Sequence, residues 1–254
     1  MIRVVVCGAL GKMGRMAIDE IAGDAELKLV GAIEAAGNPG LGSSIAGVTV
    51  TADLVKALPS CDVVVDFTNP KAALEHVRQA AAAGRATVVG TTGLTPEELA
   101  AAKKAGEKIP LIISPNMSAG VNLMFKIVAE IARALPDFDA EIVEIHHNKK
   151  KDAPSGTAAK LAEAIGKERP SSIVVSGRSG LVGARKAEEI GMHSLRGGDV
   201  VGEHTVVFAG EGERFELTHR AHSRRTFARG TLRAIHFLHG RKPGLYSMGD
   251  VLGL

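Results

Sequence analysis

Hydrophobic positions follow two different rhythms on either side of Pro136. Before it, short and nearly continuous apolar runs stand at Ile2–Cys7, Leu29–Ile33, Val63–Phe67, Ala86–Gly90 and Ile109–Ile113. Runs without polar alternation predict strands buried on both faces of a parallel sheet. Helix-period segments separate them. Met13, Met16, Ala17 and Ile21 share one face, Asn69-Pro70 reads as an N-cap with proline at the first helical position, and that helix reaches Ala83 before Gly84 stops it. Thr95-Pro96-Glu97-Glu98 is a capping box for a helix ending near Gly106. A longer helix over Val121–Leu135 carries Leu123, Ile127 and Ile131 on one stripe, with Met124, Val128 and Leu135 beside it; this stripe is expected to be core. After Pro136 the period becomes two. Alternating segments at 140–146, 173–176, 188–195, 203–209 and 213–219, separated by long Gly/Arg/Ser loops, predict a mixed or antiparallel sheet in a second domain. A last helix over Thr226–His239, with Leu232, Ile235, Phe237 and Leu238, is expected to return to the first domain.

The first strand runs into Gly8-Ala9-Leu10-Gly11-Lys12-Met13-Gly14, a helix and a second strand follow, and that strand ends at Glu34, twenty residues beyond Gly14. Strand, glycine turn, helix, strand and acid in this order form the dinucleotide-binding layout of a Rossmann-type domain. Its glycines let the backbone turn tightly and approach a pyrophosphate at the helix N-terminus, while the acid takes ribose hydroxyls. The spacing, G-x-x-G-x-x-G, is a variant of the stricter motif. Ligands of open parallel sheets lie outside the carboxyl ends of the strands. The polar strand ends Asp66–Thr68, Gly90–Gly93 and Ser114–Met117 are thus candidates to line the cleft, although ordinary turn chemistry uses the same residue types.

A second concentration of chemistry lies at Glu144-Ile-His146-His147-Asn148-Lys149-Lys150-Lys151-Asp152-Ala153-Pro154-Ser155-Gly156-Thr157. Two imidazoles and three ammonium groups follow a strand end, which suits a dianion. Ser155-Gly156-Thr157 opens a helix whose N-terminal N–H groups favour carboxylates. No metal is expected, because His146 and His147 are adjacent, on a strand they face opposite ways, and no carboxylate or Cys stands at ligand spacing. His204, His219 and His222 read as structural or supporting. Arg196, before Gly197-Gly198-Asp199, is expected to reach substrate, and the loop over Ser176–Arg185 reads as a cover for it or as a surface loop. Composition narrows the partners. The 254 residues carry a net charge of only +3, and with 3% aromatics, no Trp and one Tyr they offer few stacking platforms for nucleic acid. Cys7 and Cys61 sit in apolar runs and read as buried thiols of a reducing compartment. No signal peptide or membrane span is recognisable, so a cytoplasmic location is expected.

Together, Gly8–Gly14, Gly90-Thr91-Thr92-Gly93, the string from Glu144 to Thr157, Val201-Gly202-Glu203-His204-Thr205 and the closing Gly244–Leu252 resemble the 4-hydroxy-tetrahydrodipicolinate reductase (dihydrodipicolinate reductase) family of bacterial lysine biosynthesis over essentially the whole chain. The resemblance implies an α/β fold with two parts. One is a Rossmann-type parallel-sheet domain over residues 1–118 and 228–254; the other, residues 119–227, is a mixed-sheet α/β domain for substrate binding and homotetramer assembly. It implies reduction of a small cyclic dicarboxylate with NADH or NADPH. By position, His146 is the proton donor/acceptor and Lys150 the second catalytic donor. His147, Gly156 and Thr157 would bind substrate. Gly8, Ala9, Leu10, Gly11, Lys12, Met13, Glu34, Gly90, Thr91, Thr92, Ser114, Pro115, Asn116 and Met117 would bind the cofactor. Two positions depart from the pattern. Some members place Arg directly after the ribose-binding acid, where it can pair with a 2′-phosphate; here that residue is Ala35, so NADH is expected to be accepted or preferred, with Lys12 a partial substitute cation. Lys149 stands where some members carry another His. The competing readings are another Rossmann-type semialdehyde or imino-acid dehydrogenase, a nucleotide-sensing protein without catalysis, and a nucleic-acid binder; the first two share the glycine motif and lack a reason for the string after Glu144.

Overall fold

The computed structural model describes residues 1–254. Contacts divide it into two compact units: Met1–Ala119 with Arg224–Leu254, and Gly120–Ser223. In the first, β1 (Ile2–Cys7) lies in an eight-stranded sheet between β2 (Leu27–Ile33) and β5 (Val63–Asp66). The sheet continues past β5 to β6 (Ala86–Val89), β7 (Pro110–Ile113) and β13 (Gly244–Tyr246), and past β2 to β4 (Val48–Thr51) and β3 (Ser44–Ile45). Every pairing is parallel except β3 with β4. The strand order therefore reverses at β1, where doubly wound sheets open a ligand crevice.

Both faces of this sheet are covered, which explains the unbroken apolar runs. Val4 and Val6 of β1 pack with Ile18 and Ile21 of α1 (Lys12–Ala22) and with Ile235 and Leu238 of α7 (Arg225–Leu238). Val5 and Cys7 point the other way, toward Leu54 of α2 (Leu54–Ala57), Leu58 and Cys61. The helix starts carry the expected caps. Asn69 accepts from the Ala72 N–H ahead of Pro70 in α3 (Pro70–Ala82), and Thr95 with Glu98 closes a reciprocal capping box on α4 (Pro96–Lys103). The short β3, β4, α2 and α8 (Met248–Leu252), and β13, were not foreseen. Each spans five residues or fewer, too short for a hydrophobic period to register.

The second unit holds a five-stranded mixed sheet in the order β12 (Glu213–Arg220), β11 (Glu203–Gly210), β8 (Asp139–His146), β10 (Glu189–Arg196), β9 (Ile173–Ser176). β10 runs parallel to β8 and β9, whereas β11 is antiparallel to both its neighbours. Its buried face, with Ala140, Ile142, Ile190, Met192, Val206 and Phe208, packs against α5 (Ala119–Ala134) and α6 (Gly156–Glu168). The expected stripe on α5 needs correcting. Val121, Met124, Val128 and Ala132 are buried, while Leu123 is 42% exposed. Nearly every face of this helix carries an aliphatic residue, so several stripes fit the 3.6 period and packing chooses among them. The β9–β10 loop is tied to its own sheet: Arg178 donates to both carboxylate oxygens of Glu141 and to Glu189, and Arg185 to Glu141 and Asp139. No helix is long and apolar enough to cross a membrane.

Candidate active site

In the first unit the glycine loop leaves no room for side chains. Gly8 has φ +77°, and a Cβ there would fall on the Phe67 carbonyl oxygen; one on Gly14 would fall on the Gly8 carbonyl. The turn thus brings the α1 N-terminus against β1, and no side chain caps that helix. The Leu10 N–H donates to Glu34 Oε2 at 3.0 Å, which ties the acid at the end of β2 to the loop. Gly8, Gly11, Glu34, Ala35, Thr68 and His76 are among the residues around a cavity of about 430 Å³. A glycine cradle, uncapped helix amides and an acid beside them fit a dinucleotide.

The other expected cofactor residues fall into distinct places. Ala9 is fully buried and Met117 is 2% exposed, both in the core, so any contact they make with a ligand must come from their backbone. Leu10 also packs on that core, Met13 is half-buried, and Lys12 is exposed. Gly90, Thr91, Thr92 and residues 114–117 do not line the 430 Å³ cavity. Gly90 lies against the Phe67 ring, and Thr92 and Pro115 are exposed. Ser114 Oγ donates to the Asn116 carbonyl at 2.8 Å, and Asn116 Oδ1 accepts from the Ser118 N–H at 2.9 Å.

Thr91 belongs to a network that centres on Asp66, which is fully buried. Asp66 accepts from Thr91 Oγ1 at 2.5 Å, from Thr68 Oγ1 at 2.8 Å and from the Thr68 N–H at 3.1 Å, and it faces His76 Nδ1 at 2.6 Å. His76 escaped sequence reasoning. Its one signal is helical spacing, seven residues beyond the Asn69 cap and thus on the face of α3 that meets the strand ends. Cys7, Asp66 and His76 lie within metal-ligating distance of one another. The carboxylate is already engaged by these hydrogen bonds, however, and burial pushes the Cys7 thiol well up, so it stays protonated.

In the second unit β8 ends at His146, and Glu144, two residues earlier, shares its face. Glu144 is fully buried. It takes a two-pronged fork from Arg196, Nη1 to Oε2 at 2.9 Å and Nη2 to Oε1 at 2.8 Å, and accepts from the Ser155 N–H at 3.1 Å. His146 Nδ1 meets Oε2 at 2.5 Å. Burial pushes the Glu144 carboxyl up, but the hydrogen bonds from Arg196, Ser194 and His146 outweigh it and hold it at about 2. Burial also lowers the His146 pKa, against the opposing pull of Glu144, and Lys150 and Arg196 lower it further. The His204 ring stands edge-on to His146 with centroids 5.1 Å apart, and its Nε2 meets Ser155 Oγ at 3.0 Å. Burial and the neighbouring His146 push His204 down to about 3, so it is neutral.

Lys150 Nζ donates to Asp152 at 2.8 Å. His147 is half-buried, and its Nδ1 has no hydrogen-bond partner. Gly156 and Thr157 form the first turn of α6, capped by Ser155, whose Oγ accepts from the Ala158 N–H at 3.1 Å. Arg196, expected to reach substrate, is placed against the Glu144 carboxylate. Its guanidinium is committed to Glu144 and to the carbonyls of Asp152 and Leu195, because β10 runs parallel to β8 with Arg196 in register with His146. Glu144 heads the string that runs to Thr157 in the sequence but has no role assigned there; on β8 it lies on the buried face with Ala140 and Ile142.

Comparison with known proteins decides the family. Residues 2–117 match the family described as dihydrodipicolinate reductase, N-terminus, and residues 120–252 match its C-terminus. The chain belongs to the dihydrodipicolinate reductase family. Among relatives of this reductase, a 4-hydroxy-tetrahydrodipicolinate reductase of Anaeromyxobacter dehalogenans (strain 2CP-C) is 49% identical over 100% of this chain and 98% of its own. That of Geotalea uraniireducens (strain Rf4) is 45% identical over the whole of both. The solved dipicolinate-bound dihydrodipicolinate reductase of Paenisporosarcina sp. TG-14 superposes with a TM-score of 0.82 at 30% identity, covering 97% of each chain. The protein is an oxidoreductase of this family and works with a nicotinamide cofactor.

Proposed function

We propose that this reductase converts 4-hydroxy-tetrahydrodipicolinate to tetrahydrodipicolinate, with His146 as proton donor and Lys150 assisting. The observation that carries the reading is the end of β8, where His146 gives Nδ1 to a buried carboxylate and keeps Nε2 for exchange. Bound nicotinamide supplies the hydride. Electron density left in the ring must then be quenched by a proton, and His, with an unperturbed pKa of about 6.5, donates near neutral pH. For each molecule reduced, one hydride and one proton enter and one water leaves. Lys150 places an ammonium where a carboxylate or the developing negative charge needs neutralising. His147 and the N–H and hydroxyl groups of Gly156 and Thr157 at the start of α6 would hold a substrate carboxylate.

On the cofactor side, Gly8, Gly11 and the α1 N-terminus would take the pyrophosphate and Glu34 the ribose hydroxyls, with Ala9, Leu10, Lys12, Met13, Gly90, Thr91, Thr92 and residues 114–117 completing the site. Glu34 would repel a 2′-phosphate, and Ala35 offers no cation to offset it, so NADH is accepted or preferred over NADPH. The segment 119–227 serves substrate binding and homotetramer assembly, and the enzyme works in the cytoplasm, where its buried thiols stay reduced. The test is a coupled assay. Aspartate semialdehyde and pyruvate are condensed by a synthase, this protein is added, and NADH and NADPH oxidation are followed in parallel. Oxidation that requires both precursors and is at least as efficient with NADH is the expected result. No oxidation by folded protein that still binds NADH would send the reading to the semialdehyde and imino-acid dehydrogenases.

A further inference from the structure

A carboxylate with no exposure in an apolar layer is costly unless it is neutralised and hydrogen-bonded. Glu144 meets both conditions, and each of its oxygens is spoken for. Oε1 accepts from Arg196 and the Ser155 N–H, and Oε2 from Arg196 and His146. Arg196 is held in turn by the carbonyls of Asp152 and Leu195, so the fork cannot swing away. A fixed anionic acceptor at Nδ1 requires that Nδ1 carry a proton in both charge states of the ring. Nε2 is then the nitrogen that gains and loses one. On its side of the ring stands Gly202, where a Cβ would come within 2.9 Å of Nε2, so a glycine there leaves this atom uncrowded.

We propose that Glu144, clamped by Arg196, is the positioning residue of the reductase: it fixes the His146 ring and its Nδ1–H tautomer so that the proton is delivered from Nε2. The inference rests on His146 being the proton donor. In the transfer the Nε2–H bond breaks, the proton goes to the substrate and the electron pair stays on Nε2. The neutral Nδ1–H imidazole remains on Glu144, which does not take the proton.

The charged and titratable groups facing His146 are Glu144 on its own strand, Arg196 on β10, Lys150 in the following loop and His204 on β11. Glu144 favours the imidazolium, whereas Arg196 and Lys150 disfavour it. Two substitutions on one ion pair therefore have opposite signs. Glu144→Gln lowers the His146 pKa and moves the limb where kcat falls with rising pH toward acid. Arg196→Gln moves it toward alkali.

The experiment pairs pH profiles of kcat for the full-length enzyme and both variants with histidine ring nitrogen NMR, assigning His146 by His146→Gln. Wild type is expected to show the Nδ1–H tautomer when neutral. Glu144→Gln is expected to add the Nε2–H tautomer and lower kcat about 10- to 100-fold, while the substrate KM changes less than about threefold. If Glu144→Gln does not fold, the wild-type tautomer and the Arg196→Gln limb carry the test. An Nε2–H tautomer in wild type, or limbs that do not move in opposite directions, would overturn the proposal. Full activity in His146→Gln would instead overturn the proton-donor reading, and the tautomer measurement would still report on Glu144.

Discussion

His146 and Ala35 concentrate the residue-scale chemistry, and each departs from what its neighbours alone suggest. His146 sits beside an anion yet has a lowered pKa, because burial outweighs Glu144 and two cations add to it. Its imidazolium is a readier proton donor than free histidine for that reason. Ala35 is exposed at the end of β2 next to Glu34. Placing a guanidinium there, as Ala35→Arg, should lower the NADPH Kd about tenfold or more, since hydrogen bonds to charged groups are worth about 1.5–3 kcal/mol. Titration of NADPH fluorescence measures this; an unchanged Kd would show that the 2′-phosphate is not read at this position.

The two elements that position chemistry are the β1–α1 turn and the end of β8, and they differ in how openly the sequence displays them. Gly14 has nowhere to put a methyl group, because its Cβ would meet the Gly8 carbonyl. Gly14→Ala should destabilise the protein by about 1–3 kcal/mol and weaken nucleotide binding, read by urea denaturation and NADH titration. This turn was legible because glycine, strand and helix signals are local and agree. The Asn69 cap of α3 and the capping box of α4 were legible for the same reason. The end of β8 was only half legible. The HHxxK string and the helix start at Ser155 stand out, but Glu144 is identified as a site residue only once Ala140 and Ile142 are known to face the core. Arg196 lies 52 residues on, and its pairing depends on a parallel β8–β10 register that no local pattern encodes. The α5 face failed similarly: where aliphatic residues surround a helix, tertiary packing selects the buried stripe.

Across the whole molecule, three carboxylates link stability to pH. Hydrogen bonding from Arg3 holds Asp62 at about 2. Glu141, raised by burial but held down more strongly by Arg178, His193 and Arg185, also lies at about 2, as does Glu144. All three folded-state pKa values lie below the unfolded ones, about 3.9 for Asp and 4.3 for Glu. Their contribution is therefore fully present above about pH 5 and is lost as pH falls toward about 2. Urea midpoints should drop between pH 6 and pH 3, and the drop should shrink in Glu141→Gln; an equal drop in that variant would remove Glu141 from the account. The central claim, that a reductase of this family takes its proton from His146, is tested most directly by steady-state turnover of His146→Gln in the coupled assay. The account predicts a kcat about 10²–10⁴-fold below wild type with NADH binding unchanged. Turnover within about threefold of wild type would contradict it.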